Sequence, residues 1–295
     1  MKKNKKKSLH QRRKIKKRRR NNTVKGVASC FGFWSVSKNE QDTVNEDFAC
    51  ATSNRIAVSD GAGGGGVFAE LWSKTLIDNL PPLPIQNNIE LNVWMDSFAD
   101  DFYNHCEEMA KENGGLFLDK FYEEGSYATL SVIWKISPSS CRWIMYGDST
   151  VFCYNFRTKE LRSSVQSLSK YDEPPFLLCT ISQTEDDGFV SGVFESLDKD
   201  SIVFVCSDAL SHFLLMLYQL ENKDRYQTSI RDSLESHTKT SNFIKMASHS
   251  GISFECVLNK ILSSDSNASF AKSLYAYEED GLLGHDDYSF AYIKM

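Results

Sequence analysis

The sequence predicts an α+β domain whose antiparallel sheets are flanked by helices. Short apolar runs of strand length are grouped along the chain, and helical patterns are grouped as well, instead of alternating as they do around a parallel sheet. The segment Y-G-D-S-T at 146–150 joins two apolar runs and predicts a hairpin connection, which is typical of antiparallel pairing. These patterns favour sheets at the centre of the domain and helices outside them.

Hydrophobic periodicity gives the expected order of elements. Apolar runs predict strands near 27–37, 46–52, 55–60, 128–136, 142–147, 150–155, 201–207 and 288–294. Helical spacing of apolar residues predicts helices near 67–80, 89–113, 209–221, 226–236, 239–247 and 253–263. The stretch 159–198 has weak periodicity and contains two consecutive prolines, so we expect a surface loop there.

Length and composition favour one globular domain over 27–295. A chain of 295 residues can bury a sizeable core, and its contents of 41% apolar and 12% aromatic residues are ordinary for a globular protein. No apolar run approaches the length of a membrane span, so we expect no transmembrane segment.

The charge is distributed very unevenly. Residues 1–20 contain 13 Lys or Arg and no Asp or Glu, whereas the rest of the chain has a net charge of −18. Such a run cannot form a packed core, so we expect a basic, disordered tail over 1–26. The tail suits contact with nucleic acid or an anionic membrane surface, or a nuclear address. A solvated tail lying against the acidic body, or an over-extended start, explains it equally well. No apolar segment follows it, so it does not resemble a secretory signal.

The eight cysteines predict buried, reduced thiols. None forms a C-x-x-C pair, and most lie inside apolar runs, which favours a reducing compartment and a cytoplasmic protein. Four residues separate Cys50 from Arg55, one fewer than the loop of a thiolate phosphatase needs. The six histidines show no zinc spacing.

The most informative stretch of the chain is 55–73, where a short apolar run ends at Asp60. Gly61 and then Gly63 to Gly66 follow, and a helical pattern begins at Val67. An aspartate delivered by a strand into a glycine-lined turn places a hard anionic ligand where the backbone can approach closely. This arrangement suits a metal ion or a phosphate group.

The glycines also match G-x-G-x-x-G, the fingerprint of dinucleotide-binding folds. A run of four glycines satisfies many spacings, so this match is weak. Asp60 would also lie beside the pyrophosphate and repel it. The helix after the glycines is followed by a second helical pattern, not by the next strand of a βαβ unit. The metal-ligand interpretation instead requires Asp60 and further carboxylates close to it.

Other carboxylates lie at the ends of apolar segments. Each one alone is better explained as a solvated turn residue or a helix N-cap. Several such positions in one chain favour a shared cation cluster, because clustered carboxylates repel unless a cation neutralises them. The candidates are Glu46, Asp47, Asp148, Asp208, Asp286 and Asp287.

These segments resemble, in their residues and in their order, the motifs of the metal-dependent protein phosphatases of the type 2C serine/threonine class. The similar segments are N-E-D-F at 45–48, V-S-D-G-A-G-G at 58–64 with the following F-A-E-L-W-S, G-S-Y-A-T-L at 125–130, Y-G-D-S at 146–149, C-S-D-A-L at 206–210 and H-D-D-Y-S-F at 285–290. They occur in family order over nearly the whole chain outside its N-terminus.

The resemblance implies a four-layer αββα sandwich, two antiparallel sheets with helices on each outer face. It also implies two or three Mg²⁺ or Mn²⁺ ions. Asp60 would bridge two of these ions, and the Gly61 carbonyl would complete the ligand set of one of them. The resemblance also makes Asp60 and Asp47 the candidate catalytic residues. Glu46 and Asp47 would serve the first ion, one directly and one through water. Asp208 and Asp286 would hold the second ion, and Asp148 with Asp208 would hold a weaker third ion.

Four positions depart from the family pattern. The arginine that usually grips the substrate phosphate corresponds to Asp42, and the nearest upstream basic residue is Lys38. A frequent histidine is Ala62, a frequent arginine is Thr150, and a usual glycine is Ala209. The substrate-binding residue is therefore unknown from the sequence, with Lys38 as the candidate.

The function expected from this resemblance is metal-dependent hydrolysis of phosphomonoesters by metal-activated water. The substrate would be phosphoserine or phosphothreonine in a protein, or a small phosphomonoester, and the enzyme would be a monomer. The departures keep a second hypothesis open: a catalytically weak relative that binds metal or phosphorylated partners as a regulator. A third hypothesis is a nucleic-acid-associated protein that binds through its basic tail.

Overall fold

The computed structural model of this chain describes residues 30–40 and 43–295. The predictions for the tail 1–26, and the position of Asp42, lie outside the described residues.

Two five-stranded sheets form the centre of the fold, and every strand pairing is antiparallel. The first sheet has the order β1-β12-β11-β7-β8 and contains Phe31–Val36, Tyr288–Lys294, Ser201–Cys206, Thr150–Asn155 and Glu160–Ser163. The second has the order β10-β6-β5-β3-β2 and contains Phe189–Phe194, Ser140–Tyr146, Leu130–Ser137, Arg55–Ser59 and Phe48–Ala51. A small third sheet pairs β4 (Tyr127–Ala128) with β9 (Leu178–Cys179).

Helices surround the two sheets. The described helices are α1 (Ala69–Asp78), α2 (Asn88–Asn113), α3 (Gly115–Glu124), α4 (Asp208–Glu221), α5 (Lys223–Glu235), α6 (Lys239–Ser250), α7 (Phe254–Leu262) and α8 (Asn267–Glu279). None of them is long and apolar enough to cross a membrane.

The central strands are apolar on both faces, and successive residues enter different hydrophobic clusters. In β3, Ile56 and Val58 pack between the sheets, whereas Ala57 joins the cluster formed with α1 to α3. In β5, Ile133 packs between the sheets and Val132 packs on the helical side. The first sheet is covered in the same way by α4 and its neighbours. This alternation follows from the period of two of a strand. The predicted four-layer αββα sandwich is confirmed.

The hairpin predicted at 146–150 is wrong. Strand β6 pairs with β5 and β10 in the second sheet, whereas β7 pairs with β8 and β11 in the first. The turn around Gly147 therefore carries the chain from one sheet to the other. Gly147 has a φ of 106°, which a residue with a Cβ rarely adopts. Local turn residues cannot show whether the two strands that they join pair with each other, because that depends on partners far away in the sequence.

The surface loop predicted over 159–198 is also wrong in part. This stretch contains β8, β9 and β10 and two short 3₁₀ turns. Strands β8 and β10 are edge strands with one paired neighbour each, so their exposed faces weaken the hydrophobic period. The predicted helices also omit α3 and α8, which are helical in the structure.

Candidate metal centre

Asp60 lies directly after β3, an interior strand of the second sheet. Its main chain is fixed by Thr129, whose N–H donates to the Asp60 carbonyl at 2.8 Å and whose Oγ1 accepts from the Asp60 amide at 3.2 Å. Thr129 is buried and bonds Ser149, in the turn that crosses between the sheets, at 2.8 Å. The position of Asp60 is therefore set by β3, which precedes it, and by the turn between the sheets, through Thr129 and Ser149.

Gly61 lies opposite Ala128 in an isolated antiparallel bridge. Because the flanking Asp60 carbonyl and Ala62 amide make the bonds to that neighbouring strand, the carbonyl of Gly61 is directed away from it. It accepts no hydrogen bond from any described residue. A Cβ at Gly61 would lie 2.6 Å from the Glu46 carbonyl oxygen, so the glycine is required by a close approach of two backbones.

The glycine run contacts the carboxylate of Glu46. This carboxylate packs against the backbone of Gly63, and the Ser73 hydroxyl donates to the Glu46 carbonyl at 2.6 Å. Burial, followed by the charge of Asp287, raises the pKa of Glu46, and the Gly63 amide and Lys38 offset part of this rise. The glycine run thus packs against a carboxylate, which gives no support to the dinucleotide-binding interpretation.

Asp47, which is buried, and Asp60 and Asp208, which are half-buried, form the inner part of the cluster. Burial raises the pKa of each well above its usual range, and the charges of the neighbouring aspartates raise it further. Asp148, Asp208, Asp286 and Asp47 all act on Asp60, so the structure brings all five aspartates together. One oxygen of Asp47, Oδ2, is buried with no hydrogen-bond partner among the described residues.

Asp148 and Asp208 reach the cluster from the first sheet. Asp148 lies in the turn that crosses between the sheets, and burial raises its pKa to about 6. Asp208 begins α4, where one carboxylate oxygen accepts the Ala209 amide at 2.5 Å. The free N–H groups at the start of a helix favour a negative charge at this position.

The two aspartates at the start of β12 differ in role. Asp287 is buried, and its oxygens accept the Lys38 amide at 2.8 Å and the Glu46 amide at 2.6 Å. It therefore joins two loops by hydrogen bonds. Asp286 lies nearer the surface and acts electrostatically on Asp47, Asp60, Asp148 and Asp208. The sequence shows the two adjacent aspartates, but it does not show that one binds main-chain amides and the other acts on the carboxylate cluster.

Lys38 is close to the carboxylates. Its charge lowers the pKa of both Glu46 and Asp286 against the effect of burial. His285 acts in the same direction on Asp286. The candidate for phosphate binding thus lies at the cluster, whereas Asp42 is outside the described residues.

The other divergent positions offer no substrate contact. Thr150 is fully buried, and its hydroxyl bonds the Tyr171 hydroxyl at 2.7 Å and the Asp148 carbonyl at 2.9 Å. Ala62 and Ala209 have no polar side chain, and their amides bond Tyr127 and Asp208. Lys38 is therefore the candidate cation that remains for an anionic substrate at these positions.

The donor set fits a hard divalent cation. Within the described part of the chain, no three His, Cys, Asp or Glu side chains are arranged to hold an ion by themselves. The chemistry is nevertheless suitable, because carboxylate and carbonyl oxygens are the ligands that Mg²⁺ and Mn²⁺ prefer. The unpartnered Asp47 oxygen and the unbonded Gly61 carbonyl are further donors of this kind.

Solved structures share this architecture. An arginine-to-lysine variant of a bacterial serine phosphatase has a TM-score of 0.50 and 14% identity, covering 89% of this chain and 96% of the other. The Mycobacterium tuberculosis serine/threonine phosphatase PstP/Ppp has a TM-score of 0.51 and 16% identity, covering 89% and 97%. This chain has the type 2C phosphatase fold.

A further structure, the catalytic domain of PstP in complex with two manganese ions, has a TM-score of 0.49 and 16% identity, covering 90% of this chain and 97% of the other. No protein-family model and no curated protein matches the sequence. At such low identity, the chain is a divergent example of the type 2C fold.

Proposed function

We propose that this protein is a metal-dependent phosphatase that hydrolyses phosphoserine and phosphothreonine in proteins, using two or three Mg²⁺ or Mn²⁺ ions. The observation that carries the proposal is the convergence of Asp47, Asp60, Asp148, Asp208 and Asp286 from both sheets. The type 2C fold of the chain agrees with it.

Electrostatics explain why this cluster calls for cations. Ionised carboxylates that are buried beside each other are destabilised by lost hydration and by mutual repulsion. A purely structural cluster would be neutralised by Lys or Arg side chains. Among the strongest influences on the described carboxylates of the cluster, the cationic ones are Lys38 and His285, and they act on its outer members, Glu46 and Asp286.

The proposed ligands are divided among the ions. Asp60 and the Gly61 carbonyl would contribute oxygen ligands to the ions, and the backbone of Asp60 is fixed by Thr129. Asp208 and Asp286 would hold the second ion, Glu46 and Asp47 the first, and Asp148 with Asp208 a third. When bound, such ions polarise phosphoryl oxygens and lower the pKa of water, so that it can attack phosphorus at neutral pH. Asp60 and Asp47 are the residues we assign to catalysis.

Lys38 is proposed to bind the substrate phosphate. Its side chain makes no ion pair with a described residue, so its ammonium is available to a ligand. An ammonium is a compact point charge and lacks the planar, bidentate grip of a guanidinium. We therefore expect weaker phosphate binding than in a relative with an arginine.

The second candidate function is a catalytically weak regulator that binds metal or phosphorylated partners. The buried side chain of Thr150 favours this function. Its hydroxyl is hydrogen-bonded to Tyr171 and to the Asp148 carbonyl, so it is not available to a substrate. Both functions share the metal centre and differ in turnover. We further propose a monomeric, cytoplasmic protein whose substrates are phosphorylated proteins, with small phosphomonoesters as assay substrates.

Turnover of p-nitrophenyl phosphate and of a phosphothreonine peptide tests the proposal. We expect hydrolysis with Mn²⁺ or Mg²⁺, none with EDTA, and a loss of several orders of magnitude in Asp60→Asn. An exposed aspartate on α3 provides the matched control, Asp119→Asn, which should behave as wild type. Equal activity with and without EDTA would refute the proposed chemistry. Metal binding without turnover would favour the regulator.

A further inference from the structure

The loop Ser37–Glu40, here called the Lys38 loop, is held on both sides of Lys38. The Tyr275 hydroxyl of α8 donates to the Ser37 carbonyl at 2.6 Å. The amide of Lys38 itself donates to Asp287 at 2.8 Å. These two contacts fix the start of the loop and the main chain of Lys38.

A side-chain bridge fixes the far end of the loop. One ring nitrogen of His285, Nε2, lies 2.9 Å from Glu40 Oε1, and the other, Nδ1, lies 2.5 Å from Glu278 Oε1. Glu278 is the firm end of this bridge, because its side chain is only 13% exposed and its second oxygen accepts the hydroxyl of buried Tyr288 at 2.8 Å. The bridge Glu40–His285–Glu278 thus ties the Lys38 loop to the end of α8.

We propose that Glu40 and His285 are positioning residues that hold the Lys38 loop, and with it the Lys38 ammonium, at the carboxylate cluster for binding the phosphate group of the substrate. The inference rests on the proposed function of that cluster. Neither residue needs to contact the substrate, since both act through the main chain of the loop.

The exposure of the bridge argues for positioning rather than for stability. The side chains of Glu40 and His285 are 53% and 43% exposed. Pairs this exposed contribute little to the free energy of unfolding. Their effect on a loop can still be large, because a lysine carries several rotatable bonds and a shift of its backbone displaces the ammonium directly. Displacing a group that only binds the substrate phosphate weakens that binding, which raises KM and leaves kcat nearly unchanged.

Glu40→Ala removes the bridge, and Glu40→Gln keeps an oxygen that accepts from His285. We expect the KM for p-nitrophenyl phosphate to rise about tenfold in Glu40→Ala with kcat within about twofold, and Glu40→Gln to recover much of the loss. The matched control is Asp78→Ala, which breaks the similarly exposed Lys74–Asp78 pair on α1. It should leave both constants unchanged.

A double-mutant cycle shows whether Glu40 acts through Lys38. In a Lys38→Ala background, Glu40→Ala should cause no further rise in KM. Hydrogen exchange of a peptide covering 37–40 should accelerate in Glu40→Ala but not in Asp78→Ala. Additive effects on KM, or unchanged exchange in this peptide, would overturn the proposal.

The test separates this inference from the proposed function. If the wild-type protein shows no turnover with Mn²⁺, the proposed function fails, and calorimetric binding of inorganic phosphate to the Mn²⁺-loaded protein replaces KM. Weaker phosphate binding in both Lys38→Ala and Glu40→Ala would still support the positioning role. Phosphate binding that is indifferent to Glu40 would refute it.

Discussion

The carboxylate of Glu46 packs directly against the backbone of Gly63, whose amide lowers the pKa of this carboxylate. A Cβ on Gly63 would overlap both carboxylate oxygens of Glu46. By contrast, a Cβ on Gly64 would meet no atom within 4 Å. The neighbouring glycines therefore have different reasons to be there, although the sequence shows them as one run.

This difference gives a matched pair of variants. Gly63→Ala should displace the Glu46 carboxylate and weaken Mn²⁺ affinity about tenfold or more, as changes next to metal ligands commonly do. Gly64→Ala should leave the affinity unchanged. Calorimetric titration with Mn²⁺ measures both. Equal affinities in the two variants would show that Glu46 does not take part in the metal centre.

The raised pKa of Asp60 predicts how pH and metal affect stability. A carboxyl whose pKa is higher in the folded than in the unfolded state stabilises the fold at acidic pH, and this contribution is lost as the pH rises through the folded pKa. Without metal, Asp60→Asn should therefore raise the melting temperature at pH 7, by roughly 3 °C or more. Adding Mn²⁺ should stabilise the wild type more than the variant.

Melting curves in EDTA and in Mn²⁺, at pH 5 and pH 7, measure this effect. The exposed carboxylate variant Asp119→Asn serves again as the control and should respond to Mn²⁺ as the wild type does. A metal-free Asp60→Asn protein that melts below the wild type at pH 7 would contradict the electrostatic account of the cluster.

The adjacent residues Asp286 and Asp287 should separate function from stability. Asp287→Ala removes the acceptor of two main-chain amides, those of Lys38 and Glu46, and should lower the free energy of unfolding by about 2–4 kcal/mol. Asp286→Ala should leave stability in EDTA unchanged or higher and reduce metal-dependent turnover strongly. Urea unfolding with parallel assays checks both, and a reversed pattern would exchange the roles of the two residues.

His212 predicts acid destabilisation at a place remote from catalysis. Its side chain is buried on α4, its Nε2 has no partner among the described residues, and burial lowers its pKa from 6.5 to about 4. The unfolded chain binds the proton first, so stability falls as the pH drops from 6.5 towards 4. Between pH 7 and pH 5 this residue should cost about 2 kcal/mol.

Urea unfolding at these two pH values compares the wild type with His212→Phe, which keeps a ring of similar shape. The loss between pH 7 and pH 5 should be smaller in His212→Phe by about 2 kcal/mol. The exposed His249 provides the control, since His249→Phe should keep the wild-type pH dependence. The same pH dependence in all three proteins would show that His212 is not held neutral.

The fold class and the candidate carboxylates could be predicted from the amino-acid sequence alone. Short apolar runs and grouped helical patterns predicted an α+β arrangement. The four-layer sandwich that the structure confirms was implied by the resemblance of the ordered segments around Asp60, Asp148 and Asp208 to the type 2C phosphatases. These features are local: a strand that ends in an aspartate is visible wherever the strand lies in the sheet.

Which of these local features come together in space depends on the three-dimensional fold. The turn at Asp148 crosses between sheets instead of closing a hairpin, because strand partners are set by packing over long sequence distances. Lys38 and Asp287 are far apart in the chain, and their hydrogen bond exists because β1 pairs with β12. The separate roles of Gly63 and Gly64 depend on the position of Glu46, which no spacing within the glycine run can reveal.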